Sequence, residues 1–256
     1  MLVALHGFLG NVDRFHVLRP YLERHFKVYY FDLPFHGATR WEADRVLPED
    51  LVGIIDWVQD QEPGAALELM GYSLGAKVSI NLYLARPDAV SRLWLLAPDG
   101  MKTKYLHWAE KLPGFVVNKV SRMSEDPAQL RQWAAGLRQR GILPPQAHQF
   151  VEWNLATPER RRRAVVMWHT LQDFAIRPAG FRRTLLRRQT PVVLVLGQDD
   201  PYIPYAVWTD FADTVPTVHT ITRRTGHRLL DRRTGELLEA ILQNDEADSS
   251  GELSAS

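Results

Sequence analysis

The sequence predicts an α/β fold, a doubly wound parallel sheet of about six strands with a helical segment inserted after the fourth. Three observations carry that expectation. Five short runs are almost continuously apolar, helical periodicities alternate with them, and the alternation stops between residues 101 and 189.

The runs are MLVAL (1–5), KVYYFDL (27–33), ALELM (66–70), RLWLLA (92–97) and PVVLVLG (191–197). Strands buried on both faces lose the apolar–polar alternation of a half-exposed strand, and helix-covered parallel sheets bury their strands in this way. TVHTIT (217–222) does alternate, which suits a sixth strand at a sheet edge. Between the strands, Pro48-Glu49-Asp50 opens a helix with Leu51, Ile54, Ile55 and Val58 on one face. Residues 76–86 carry Val78, Leu82 and Ala85 at helical spacing before Pro87 ends them.

The segment without strands has helix starts of its own. Asp126, Pro127 and Gln129 match an N-cap, a first-position proline and a capping-box partner. Thr157-Pro158-Glu159 opens another helix, with Val165, Trp168 and Leu171 recurring along it. The expected division is a core of residues 1–100 and 190–243 and a helical cap of 101–189. Residues 244–256 are small, polar and acidic without aromatics, and are expected to form a disordered tail.

Composition bounds the function. Among 256 residues, 45% are hydrophobic and 24% charged, enough apolar side chain for a sizeable core. A formal net charge of +1 argues against nucleic-acid binding through a basic surface. Without cysteine there are no disulfides, thiolate metal ligands or thiol nucleophiles, which agrees with a cytoplasmic location. The apolar start is too short for a secretory signal, and no run approaches the ~18 apolar residues of a membrane span.

The stretch LMGYSLGAK (69–77) places Ser73 between Gly71 and Gly75 where a strand gives way to a helix. A plain turn, a phosphate loop and a nucleophile all fit a serine there. The phosphate loop requires a lysine and hydroxyl spacing that these residues lack. A nucleophile on so tight a turn needs small residues two positions away on either side, and the helix N-terminus favours negative charge beside it. Such a serine also needs a base, and the base an orienting acid. Asp199 and Asp200 follow the strand PVVLVLG, His227 follows TVHTIT, and Asp99 follows RLWLLA as a rival acid. All lie just past strand C-termini, where α/β sheets place their sites.

In these motifs the chain resembles the α/β-hydrolase superfamily over nearly its whole length. The resemblance rests on His6-Gly7-Phe8-Leu9-Gly10, Asp32-Leu33-Pro34-Phe35-His36-Gly37, Gly71-Tyr72-Ser73-Leu74-Gly75, Gly197-Gln198-Asp199-Asp200 with Pro204, and Gly226-His227. It implies a serine hydrolase with Ser73 as nucleophile, His227 as base and Asp200 as acid, Asp99 being the alternative acid. The backbone N–H groups of Phe8 and Leu74 would form the oxyanion hole. His6, Gly7, Leu9, Tyr72 and Trp168 are the implied substrate-pocket residues. The partner is a small-molecule acyl substrate, with no metal, organic cofactor or nucleic acid. Three readings follow: a carboxylic-ester hydrolase, a C–C bond hydrolase or menaquinone-pathway-like lyase acting on an anionic substrate, and a non-catalytic receptor or scaffold. The anionic substrate would engage the basic clusters of residues 160–163 and 182–188; the joint presence of Ser73, Asp200 and His227 speaks against the receptor.

Two departures from the family pattern matter. The antiparallel strand pair usual ahead of the His-Gly loop has no counterpart in these residues, so KVYYFDL falls at a sheet edge. An apolar edge invites pairing with a second copy, and a homodimer is one expectation, to be checked by sedimentation at high concentration. Phe35 stands where relatives often carry glycine.

Overall fold

The computed structural model describes residues 1–43, 45–101, 126–143, 145–158, 160 and 173–254. Its sheet has six strands: β1 (Leu2–Leu5), β2 (Val28–Phe31), β3 (Glu68–Tyr72), β4 (Arg92–Leu96), β5 (Val192–Gly197) and β6 (Val218–Arg223). The order is β2-β1-β3-β4-β5-β6, and every pairing is parallel. β1 and β5 are buried at every residue, whereas the edges β2 and β6 are only partly covered. That is why the central runs read as continuous and the TVHTIT run alternates. The chain steps outward from β1 to β2 and then returns across β1 to β3. A reversal of this kind opens a crevice at the strand C-termini.

The helices before β4 are α1 (Arg19–Leu22), α2 (Pro48–Gln61) and α3 (Leu74–Ala85). α2 buries Leu51, Ile55 and Val58, and α3 is buried over most of its length. After β4 come α4 (Pro127–Gln139), α5 (Pro145–Asn154), α6 (Pro178–Arg188), α7 (Tyr205–Ala212) and α8 (Arg232–Ser254). Asp126 caps α4 by accepting the N–H groups of Ala128 and Gln129 at 3.1 and 3.3 Å. The Thr157 hydroxyl likewise accepts the N–H of Arg160 at 3.2 Å. Val165, Trp168 and Leu171 lie outside the described residues. Among those described, no helix is long and apolar enough to cross a membrane.

The chain divides into two compact units. The sheet unit comprises Met1–Arg40, Pro48–Met101 and Phe174–Ser256; the second comprises Trp41–Leu47 and Lys102–Asp173. This differs from the expected boundaries at two places. α6 falls inside the range read as cap but belongs to the sheet unit, where Phe181 is buried and stacks on Phe211 at 5.4 Å. Trp41–Leu47 joins the second unit, within which Arg45 pairs with Asp173.

Most of the residues expected to form a disordered tail lie in α8, which runs on to Ser254. Two of its acidic residues have partners, Glu246 with His25 at 2.7 Å and Asp245 with Arg92 at 2.5 Å, while Leu238 and Leu242 are buried.

Candidate active site

Ser73 sits between β3 and α3 with φ +53° and ψ −113°, a conformation that costs a serine about 1–3 kcal/mol unless its surroundings impose it. They do. Its N–H donates to the Leu96 carbonyl at 2.9 Å, and its own carbonyl accepts from Ala76 at 3.0 Å and Asp99 at 3.2 Å. A Cβ at Gly71 would overlap the backbone of Ala76, and one at Gly75 would overlap the carbonyls of Leu5 and His6. The two glycines are therefore where α3 and β1 cross the turn with no room for a side chain.

His227 lies beside the serine, its Nε2 3.1 Å from Ser73 Oγ and its Nδ1 2.7 Å from Asp200 Oδ2. The Asp200 side chain is 1% exposed, and its other oxygen accepts the N–H groups of Tyr202 and Ile203 at 2.8 and 3.0 Å. A buried carboxylate so bonded can only accept, so Nδ1 of His227 carries the proton and Nε2 is left to accept from the serine hydroxyl. The imidazole packs between Tyr72 and Tyr202, each with its ring centre 5.3 Å away. Tyr72 also donates its hydroxyl to the His227 carbonyl at 2.9 Å. Burial, with the nearby Asp200 charge, pushes the Tyr72 phenol up to about 12, so it remains a donor at neutral pH. Gly197 brings the loops after β5 and β6 together: a Cβ there would overlap the Gly226 and Thr225 carbonyls.

Asp99 is placed elsewhere. Its carboxylate is 3.7 Å from the ammonium of Lys77, a side chain 2% exposed on α3, and its N–H bonds the Ser73 carbonyl. Asp99 thus braces the turn, and Asp200 faces the histidine. Lys77 escaped the sequence reading; the available signal was one charge within an otherwise apolar or small helix.

The pocket residues divide. Gly7 lies against the nucleophile turn, a Cβ there falling 2.9 Å from the Tyr72 ring and 3.3 Å from Ser73 Cβ. Leu9 takes φ +56° in the same loop. His6 is fully buried, with one ring nitrogen on the Gly7 carbonyl at 2.8 Å and the other on the Leu33 N–H at 3.0 Å. Burial holds its pKa below the ordinary histidine value, against the opposing pull of the Gly7 carbonyl and the Asp32 charge. His36, not singled out from sequence, is also buried, and Trp168 lies outside the described residues. Phe35 has φ +63°, the left-handed region that glycine enters freely. Among the described residues no metal-binding cluster of histidines and carboxylates occurs.

The chain matches the alpha/beta hydrolase fold family over residues 1–230. It belongs to that family. Similar to this alpha/beta hydrolase is a pimeloyl-(acyl-carrier protein) methyl ester esterase of Nitrosomonas europaea, 27% identical over an alignment of 223 positions that covers 79% of this chain and 78% of that protein. Esterase YbfF of Escherichia coli is 22% identical over 241 residues, 94% of this chain and 91% of its own. Among solved structures, MenH from S. aureus superposes with a TM-score of 0.67 over 96% of this chain and 94% of its own; at 18% identity the likeness is one of fold.

Proposed function

We propose that this alpha/beta hydrolase cleaves carboxylic esters through an acyl-enzyme on Ser73. The observation that carries the reading is the unbroken hydrogen-bonded chain from Ser73 Oγ through His227 to the buried Asp200 carboxylate. His227 Nε2 takes the serine proton as Oγ bonds the ester carbonyl carbon. The tetrahedral intermediate then expels the alcohol, which leaves with the proton from His227. Water, deprotonated in turn by His227, attacks the acyl-serine; the carboxylic acid departs and Ser73 recovers its proton. Asp200 holds the imidazole tautomer and stabilises the transient imidazolium.

Phe8 and Leu74 are assigned the two oxyanion N–H donors, each worth about 2.7–4 kcal/mol. Leu74 is the first residue of α3, where the helix end favours negative charge. Each proton in this scheme moves between groups of the chain, substrate and water, so the reading calls on no cofactor. Two of the similar proteins are named as esterases, which weighs toward esters over C–C bonds.

Labelling with a fluorophosphonate tests the nucleophile, and a p-nitrophenyl ester panel of increasing chain length tests the reaction. The native protein is expected to take one label on Ser73. Ser73→Ala takes none and loses about 10⁴-fold or more in kcat. Native protein that resists the label overturns the activated serine. A labelled Ser73 with negligible turnover on every ester leaves the C–C hydrolase or lyase reading in its place.

A further inference from the structure

The loops after β1 and β2 are tied to each other by two histidines in opposite directions. The Leu33 N–H of the second loop donates to His6 Nε2 of the first, and the Leu9 N–H of the first donates to His36 Nε2 of the second, both at 3.0 Å. The remaining nitrogens sit 2.8 Å from carbonyls of their own loops, Gly7 for His6 and Pro34 for His36. A carbonyl only accepts, so Nδ1 carries the proton in both rings and Nε2 is the bare acceptor. Both side chains are buried, their rings meeting edge-on at 5.1 Å. Asp32 adds a parallel tie, one oxygen taking the Val12 N–H at 2.8 Å and the other the Ala38 N–H at 2.7 Å.

What these bonds hold is the backbone on either side of Phe8. In a planar trans peptide the N–H points opposite to the carbonyl it shares a plane with. The plane bearing the Phe8 N–H ends in the Gly7 carbonyl, which His6 Nδ1 and the Gly10 N–H fix at 2.8 and 3.0 Å. The next plane bears the Leu9 N–H, fixed by His36. Leu9 is held at φ +56° there, a conformation that costs a leucine about 1–2 kcal/mol and so needs such a restraint. The Phe8 ring itself packs edge-on against His36 at 6.0 Å.

We propose that His6 and His36 are a reciprocal pair of positioning residues that aim the Phe8 N–H at the oxyanion of the reaction. The inference rests on the ester-hydrolase reading above. Its test pairs substitutions by reach: a glutamine oxygen can occupy the place of Nε2, while an asparagine ends at the place of Nδ1.

With active sites counted by exhaustive fluorophosphonate titration, His36→Asn is expected to lose about 10–100-fold in kcat per labelled site, with KM within about twofold, because the donor is misaimed but present. His36→Gln recovers to within about fivefold of the native rate. Full kcat per site in His36→Asn, or equal losses in the two variants, overturns the proposal. Ring ¹⁵N shifts of the native protein test it without any variant. Nδ1–H tautomers at both His6 and His36 support the clamp, and an Nε2–H tautomer at either removes the acceptor and refutes it. A native protein without label or ester turnover would sink the hydrolase reading, while the tautomers would still decide the clamp.

Discussion

The two sides of the site are held in place by opposite means. On the nucleophile side, Gly71 and Gly75 let backbone cross backbone where no Cβ fits, and main-chain bonds from Leu96, Ala76 and Asp99 complete the turn. On the other side, the loops after β1 and β2 are held by side chains that accept backbone N–H groups: His6, His36 and Asp32. Steric exclusion cannot be titrated, whereas an imidazole acceptor is lost with a single proton. The nucleophile side should therefore fail by misfolding, and the loop pair by losing aim or by losing stability in acid.

The sharpest contrast lies within the nucleophile side, between two aspartates that both follow strands. Asp200 faces His227 at 2.7 Å, while Asp99 faces Lys77 at 3.7 Å. Asp200→Asn is expected to lower kcat by about 10⁴-fold with the thermal midpoint little changed, because the amide favours the wrong imidazole tautomer. Asp99→Asn should keep kcat within about tenfold and instead lower stability by about 1–3 kcal/mol, since it leaves the Lys77 charge buried without its counter-ion. Steady-state kinetics and urea unfolding on both variants decide it. A collapse of kcat in Asp99→Asn alone would reverse the assignment of the acid.

Much of this was legible because it depends on spacing along the chain. Continuous apolar runs mark buried parallel strands, so the six-strand sheet and its edges could be read off directly. Ser73, Asp200 and His227 stood out as candidates because each follows a strand within a few residues, and the three side chains lie within hydrogen-bonding distance. What escaped depends on contacts that spacing does not encode. His6 opens a site motif, but the motif says nothing of its burial, and its partner Leu33 lies in another loop. The acidic tail reads as disordered until His25 and Arg92 arrive from 221 and 153 residues away. α6 reads as cap because no strand pattern occurs between residues 101 and 189, yet Phe181 packs on Phe211 beyond β5.

Gly75→Ala tests the steric half of the comparison. The added methyl would overlap two main-chain carbonyls, Leu5 and His6, neither of which can rotate aside. An expected loss of about 3–5 kcal/mol in unfolding free energy follows, comparable to the larger core mutations. An unfolding free energy within about 1 kcal/mol of native would show that the turn can open, and the glycine spacing would lose its explanation.

The loop pair offers the smaller and more gradual effect, carried by His6. Burial lowers its folded pKa below the unfolded value of 6.5, so the unfolded chain binds more protons in acid. The sign follows: the stability His6 contributes is complete above about pH 6.5 and falls as pH drops below it, by at most about 1.4 kcal/mol per pH unit. The charges that bear on the ring are Asp32, 3.7 Å away, and Arg14, with the His36 ring at 5.1 Å. Asp32 opposes the shift and Arg14 adds to it. Unfolding free energies of the native protein and His6→Gln across pH 5–8 isolate the contribution, because glutamine accepts the Leu33 N–H but takes up no proton. The difference between the two should be flat above neutrality and should tilt against the native protein in acid. A difference flat across the whole range would mean that the folded chain takes up the His6 proton as readily as the unfolded one, and the loop pair would then be no more sensitive to acid than the glycine turn opposite it.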